Sequence, residues 1–435
     1  MDTAQSRPRV PSFYALDLHR AVTGHVPGYE ALIRDAQQRS GARLAWPAPQ
    51  DPVTSIDAAE HDLSMLQKYL RSSDDDIAGR ARYLFDLNPA LRRSLLARHL
   101  RFTRAWTPHD GLVAPPEVLA SHRLNARAYS ASALQRFATC PYQFYLSTVL
   151  RLEPRQEAMP LTILDPLTRG SMVHEMLAEI MRQLMQSAWV PLTDDRLAAA
   201  QEVADAIVTR VAAEYEDRLT PPILRVWQDA VAVIRRDVHE WVRRLPADGT
   251  QWTPSGVEIG VGFTGGFGRD DASRREEAVL PDGTRLHGVV DLLERGDGNQ
   301  WRITDYKTGK YRLAANVVVN GGRTLQPILY AMAVEAAFGG QVTASRLYYC
   351  TEDGGYEDHP WAIAGVVGDE TRKAGLEVLA IVDHAIQEGR LPAAPGKDAC
   401  MWCDFTAVCG PSAQHVPNRK DQRPLAELTM LRRMK

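Results

Sequence analysis

Two short apolar runs joined by a turn constrain this chain more than any other feature. Gly288-Val289-Val290-Asp291 and Ile303-Thr304-Asp305-Tyr306-Lys307 are rich in β-branched and aromatic residues, and Gly296-Asp297-Gly298-Asn299 lies between them. That is the pattern of a β-hairpin. Asp305 and Lys307 are two residues apart and share one face of a strand. Asp291 lies toward the end of the preceding strand, fourteen residues before Asp305, and a hairpin brings it alongside. Two carboxylates and a lysine then converge on one spot. Such a set suits phosphodiester hydrolysis. Hard oxygen ligands hold Mg²⁺ (or Mn²⁺), the ion neutralises charge in the transition state, and Lys307 orients the attacking water or steadies the developing anion. The Tyr306 carbonyl, on the pleat between the two, is a candidate further ligand. Asp-x-Lys alone is common and fits a surface charge pair equally well. Its weight here comes from the Gly-x-x-Asp ahead of it, with both on apolar strands.

The surrounding texture is α/β. Strand patterns fall at 258–263, 285–293, 301–306 and 345–351, with a helix at 325–337 between the third and fourth and another at 369–388. Upstream, Ser130 or Ser132 caps a helix running through Leu134, Phe137 and Tyr145, and a loop with Pro154, Pro160 and Pro166 follows. Ser171 then caps a helix at 172–186 whose apolar face is Val173, Leu177, Ile180, Met181 and Leu184. Residues 194–244 hold two long helical patterns. Residues 1–125 read as helices broken by Pro-rich loops, at Ala45-Trp46-Pro47-Ala48-Pro49 and again at Pro115-Pro116, with a helical pattern at 56–70 between them. The expected architecture is a small mixed sheet flanked by helices, with a helical lead-in.

Charge and targeting signals exclude little. The formal net charge of −3 shows no basic excess, so any contact with DNA must come from a local groove. No run of about 18 apolar residues exists to span a membrane. The start lacks an apolar core like that of a secretory signal, so the expected location is the cytoplasm. No G-x-x-x-x-G-K-[ST] loop occurs, and Lys307-Thr308-Gly309-Lys310 is only a superficial echo, so ATP hydrolysis by that route is not expected.

Five cysteines are present: Cys140, Cys350, Cys400, Cys403 and Cys409. An odd number argues against a disulfide framework. Cys400, Cys403 and Cys409 form C-x2-C-x5-C, with Cys140 far upstream. Four thiolates ligate Zn²⁺ or a [4Fe–4S] cluster, and the spacing does not choose between them. Cys350 follows Tyr348-Tyr349 on a strand pattern and reads as a buried core thiol.

Taken together, Gly288 to Asp291, Asp305-Tyr306-Lys307 and Gln326-Pro327-Ile328-Leu329-Tyr330 resemble the PD-(D/E)XK nucleases of the RecB/AddB branch, the last stretch matching its Q-x-x-x-Y element. Arg169-Gly170-Ser171-Met172-Val173-His174 is similar to the family's G-x-x-x-H helix. The resemblance implies a restriction-endonuclease-like core. Its metal site would hold His174, Asp291, Asp305 and the Tyr306 carbonyl, with Lys307 catalytic and Gln326 and Tyr330 over the site. Glu258 is a weaker further acidic candidate, equally readable as a solvent-facing strand residue. The same resemblance assigns Cys140, Cys400, Cys403 and Cys409 to a structural iron–sulfur staple, with Zn²⁺ as the alternative. It implies three divisions: 1–125, like the tail of a helicase-like part; 126–412, the nuclease domain; and 413–435, a flexible tail. The implied function is a Mg²⁺-dependent DNA nuclease, expected to be an exonuclease, in double-strand-break repair alongside a helicase or helicase–nuclease partner. The alternative is a catalytically weak, DNA-gripping iron–sulfur scaffold within a helicase–nuclease complex. The basic residues Arg419, Lys420, Arg423, Arg432, Arg433 and Lys435 read as part of a solvated, frayed end.

Overall fold

The computed structural model describes residues 13–28, 31, 48–69, 86, 88–101, 103–154, 163–248, 251–263, 270–311, 313–314, 316–401, 403–410 and 413–435. The chain divides into two compact units, Met1–Asp110 with Lys397–Asp421, and Gly111–Gly396 with Gln422–Lys435.

The first unit contains helices α1 (Phe13–Thr23), α2 (Ala58–Tyr69) and α3 (Pro89–Arg101). α2 occupies the helical pattern expected at 56–70, while Ala45-Trp46-Pro47 and Leu70 lie outside the described residues. The segment Lys397–Asp421 is fastened to the end of α3 and the loop beyond it by polar contacts. Lys420 Nζ donates to Leu100 O (3.0 Å), Ala105 O (2.8 Å) and Asp110 Oδ2 (2.7 Å). The Lys420 and Asp110 side chains are 0% and 2% exposed, so this ammonium is buried and fully satisfied. Arg101 Nη1 donates to Val408 O (3.0 Å) and Cys409 O (2.7 Å). A solvated end was expected here, and Lys420 departs from it because three oxygens replace its water.

In the second unit Ser130 Oγ caps α4 (Ala131–Thr139) by accepting from Ala133 N at 3.2 Å. The helix does not run on to Tyr145 as expected. Cys140 is extended (φ −161°, ψ 115°) ahead of Pro141, and a fresh turn, α5 (Pro141–Phe144), leads into a π-helical turn at Tyr145–Val149. The residue before a proline is pushed out of the helical region, which is the cause of the break. Next comes α6 (Pro166–Gln186), which starts earlier than expected. Asp165, not Ser171, is its N-cap, accepting from Leu167 N and Thr168 N at 3.0 Å each, and Pro166 sits at the first helical position, where its missing N–H costs nothing. Ser171 instead donates back to Leu167 O at 3.1 Å. α7 (Leu197–Leu219) and α8 (Leu224–Asp248) are the two long helices expected.

A five-stranded mixed sheet follows in the order β1-β4-β5-β6-β7. Its strands are β1 (Thr253–Val261), β4 (Gly288–Arg295), β5 (Gln300–Lys307), β6 (Gln341–Tyr349) and β7 (Asp358–Ala362). The short strands β2 (Ala278–Val279) and β3 (Arg285–Leu286) pair separately. β5 and β6 run parallel, joined through α9 (Gln326–Phe338), and the other neighbours are antiparallel. β7 was not anticipated; it is an edge strand carrying Pro360, which sheets tolerate only there. α6, α7 and α8 form one core with Val257, Leu292, Tyr306, Tyr348 and Cys350. Cys350 is 1% exposed and burial pushes its thiol up to about 12, in line with an inert core residue. α9 packs on β5 and β6, and α10 (Gly365–Gln387) packs on α9.

The end of the chain is ordered where a flexible tail was expected. α11 (Ala426–Arg433) buries Leu428 and Leu431. Arg432 donates to the carbonyls of Ala138, Thr139 and Ala394 at 2.9, 3.0 and 2.6 Å. Its apolar positions and the Arg432 fork together hold this helix in place. Among the described residues no helix is long and apolar enough to cross a membrane.

Candidate active site

The site forms where β4 and β5 part. Their ladder is regular from Arg295–Trp301 to Leu292–Thr304. One residue further along each strand are Asp291 and Asp305. Here the Tyr306 N–H donates to a side chain, Asp291 Oδ2, at 2.7 Å. Lys307 O accepts from Cys350 N on the β6 side at 3.0 Å. Alternate residues of a strand send their N–H and C=O to opposite neighbours, so the Tyr306 carbonyl points with its N–H toward Asp291.

Lys307 Nζ lies 2.5 Å from Asp305 Oδ2 and donates to Gln326 Oε1 at 2.7 Å. Gln326 begins α9, and Gln135 of α4 holds that end: its Oε1 accepts from Leu325 N (2.8 Å) and Gln326 N (3.3 Å), orphan donors of a helix start. One turn on, Tyr330 leans against β4. A Cβ on Gly288 would sit 2.5 Å from Tyr330 Cε1, so the glycine of Gly-x-x-Asp is there to admit the ring. The Tyr330 hydroxyl is held well above its ordinary range by burial and by the Asp305 charge.

His174 lies in the third turn of α6 rather than the first. Its Nδ1 is 3.4 Å from Asp291 Oδ2. Ligand atoms of His174, Glu258 and Asp291 all lie within 4.8 Å of one another, and this is the one such group of three or more His, Cys, Asp or Glu among the described residues. Glu258 thus joins the site. Its backbone is left-handed, φ +54°, a conformation non-glycine residues adopt at a cost of about 1–3 kcal/mol and chiefly at functional sites. Val257 and its partner Leu292 pack into the core with α6–α8, whereas Ile259 and Val290, two residues along, are buried outside it.

The electrostatics record a shortage of positive charge. Burial works against a charged His174, but Asp291, then Asp305 and Glu258, outweigh it and push the imidazole up to about 9. Burial also raises Asp305, with Asp291 reinforcing it against Lys307. Lys307 is raised too, since Asp305 and Asp291 outweigh its desolvation. All three groups favour the protonated form. A divalent cation meets the same shortage, and hard oxygens with one imidazole are a donor set it accepts.

The expected residues Asp291, Asp305, Lys307, Tyr306, His174, Gln326 and Tyr330 therefore meet at one place, with Glu258 drawn in. The cysteines are different. None of the five forms a disulfide. Cys140 belongs to the second unit and Cys400, Cys403 and Cys409 to the first, and the group of possible metal ligands found among the described residues does not include them. Burial raises the Cys400 and Cys403 thiols. Gln135 was missed by sequence reasoning, because a cap supplied from far along the chain leaves no local signal.

Comparison with known families gives a match between the PD-(D/E)XK nuclease superfamily and residues 128–410. An ATP-dependent helicase/deoxyribonuclease subunit of Symbiobacterium thermophilum is 32% identical over 218 residues, 47% of this chain and 17% of that protein. The protein of the same name from Thermoanaerobacter sp. is 24% identical over 223 residues, again 47% of this chain and 17% of its own length. The match spans about a sixth of these relatives.

Proposed function

The chain belongs to the PD-(D/E)XK nuclease superfamily, and on that premise we propose that it is a Mg²⁺-dependent DNA nuclease, acting exonucleolytically on DNA ends in double-strand-break repair. The observation that carries this reading is the convergence of Asp291, Asp305, Glu258 and His174 beside Lys307, with more negative charge than the chain itself neutralises.

His174, Glu258, Asp291 and Asp305 would hold the ion, with the Tyr306 carbonyl facing it. When bound, Mg²⁺ supplies charge neutralisation at the scissile phosphate. The chain's own residues do the rest. Lys307, kept protonated by Asp305, presents a cation where negative charge develops. Gln326 fixes its direction by accepting from Nζ. Tyr330 closes the side over Gly288 and excludes water.

The names of the relatives, each one subunit of a helicase/deoxyribonuclease, support a helicase-containing partner for this chain as well. The family resemblance of the set Cys140, Cys400, Cys403 and Cys409, rather than its spacing, favours a [4Fe–4S] staple over Zn²⁺. The staple rests on the motif and enters no step of the chemistry. A brown chain with visible absorption after anaerobic purification supports iron; a colourless chain containing zinc sinks it.

The decisive experiment is cleavage of linear DNA with Mg²⁺ by anaerobically purified wild type beside Asp305→Ala and Lys307→Ala. Cleavage by wild type alone is expected, with a loss of at least about a thousandfold in each variant. Cleavage retained by Asp305→Ala overturns the assigned site. No cleavage by any of the three favours the scaffold role over catalysis.

A further inference from the structure

We propose that α3, in the first unit, is a docking surface for the DNA backbone, built from residues outside the metal-binding cluster. The choice of DNA rests on the nuclease reading above.

From Asn88 to His109 the chain carries five arginines and no aspartate or glutamate, although the whole chain has a net charge of −3. α3 has no buried residue in its 13 positions. Arg92, Arg93, Arg98 and His99 are exposed. Among the described residues none of the three arginines forms an ion pair, whereas most other long arginine-bearing helices pair theirs, as Arg210 does with Glu214 and Arg244 with Glu240. Arg101 alone is committed inward, to the carbonyls of His109, Val408 and Cys409.

A helix of this length is marginal in water without tertiary burial, and adjacent unpaired cations repel. Each residue turns the helix by roughly 100°. Arg92, Arg93 and Arg98 therefore splay around the axis instead of forming one stripe. A protein groove reads a stripe spaced i, i+3, i+4, i+7. A polyanion with phosphates on both sides of the helix accepts splayed guanidinium groups, each able to grip phosphate through two N–H donors. Charge complementarity and the missing stripe together point to the nucleic-acid backbone.

The test uses the full chain in EDTA, so that binding is read without cleavage. Fluorescence anisotropy follows a labelled 30-nucleotide strand and its duplex across a salt series. The triple variant Arg92→Glu, Arg93→Glu, Arg98→Glu is expected to bind at least tenfold more weakly at low salt. Its slope of log K against log salt should be shallower by about two to three, one unit per lost phosphate contact. The neutral triple variant to Ala should fall between the two and guards against a folding defect. Unchanged affinity and slope overturn the proposal. So does equal binding of wild type to poly-glutamate, which would make the surface a dock for acidic protein. A wild type that fails to cleave DNA with Mg²⁺ but shows the slope change sinks the nuclease reading and leaves this surface standing.

Discussion

The hairpin β4–β5 carries two carboxylate clusters three residues apart, built on opposite plans. At one end Glu294 is closed off. Arg302 donates to both its oxygens at 2.8 and 2.7 Å, and Thr304 Oγ1 donates at 2.7 Å. Arg346 reaches the same Thr304 at 2.8 Å and grips Asp248 through both nitrogens at 2.8 and 2.5 Å. Burial works to raise Asp248, and Arg346 with Arg302 outweighs it, holding the carboxyl below its ordinary range. At the other end Asp291, Asp305 and Glu258 share one lysine and the proton their charge draws onto His174. Forked guanidinium groups close a cluster, while a point charge leaves it open. A buried cluster completed by arginines holds the fold together; one left short of charge is suited to taking up a cation.

The largest expected effect breaks the closed end. Arg346→Met should destabilise the metal-free chain by about 3–5 kcal/mol, because Asp248 loses the forked guanidinium that grips both its oxygens and keeps only one contact, from Arg302. Lys307→Met should cost less stability, since the Lys307 side chain is 30% exposed against 4% for Arg346, yet it should abolish cleavage. Denaturant unfolding of both variants beside wild type measures the difference. If Lys307→Met proved the more destabilising, the contrast between a structural and a functional cluster would fail.

Much of the open end was readable in advance, and almost none of the closed end. Asp291, Asp305 and Lys307 lie on short apolar strands whose period of two fixes their faces, and Gln326 and Tyr330 follow at helical spacing. Glu294, Arg302 and Arg346 carry no such signal, because nothing local shows that residues so far apart will share one buried network. β7 escaped notice because Asp358, Pro360 and a short length suit only an edge. The start of α6 was misplaced because Ser171 and Asp165 both fit a cap, and the proline after Asp165 decides. The ordered end at Lys420 and Arg432 was misread because long charged side chains are ordinarily solvated. Burial there depends on carbonyls contributed by distant loops.

Metal binding should separate the two ends by a smaller amount. Mg²⁺ at a hundredfold excess over its Kd should stabilise wild type by about 2.7 kcal/mol. Asp291→Asn should lose that shift and Glu294→Gln should keep it; loss in both variants would mean that the ion binds elsewhere. The metal-free chain adds a sign test. Asp248 is depressed, so its contribution is present above the ordinary carboxylate pKa and is lost as pH falls. His174 is raised to about 9, so its contribution is complete below its ordinary value of 6.5 and is lost as pH rises through about 9. His174→Asn should therefore flatten the alkaline side of the stability profile and leave the acid side alone.

The smallest effect concerns Glu258, where the open cluster touches the backbone. A left-handed residue in a strand is strained unless it is glycine, and Glu258 holds φ +54°. Its position beside His174 and Asp291 gives that strain a use, since the turn aims a third carboxylate or imidazole ligand at one point. Glu258→Gly should relieve the backbone and remove one repelling carboxylate, raising metal-free stability by up to about 1 kcal/mol. The same change should weaken Mg²⁺ binding, so the metal-induced rise in melting temperature shrinks while the metal-free value climbs. Residues that only stabilise the fold do not give opposite signs on one substitution. Should Glu258→Gly lower the metal-free melting temperature, the carboxylate would be stabilising the sheet, and Glu258 would belong with Glu294 in the closed class.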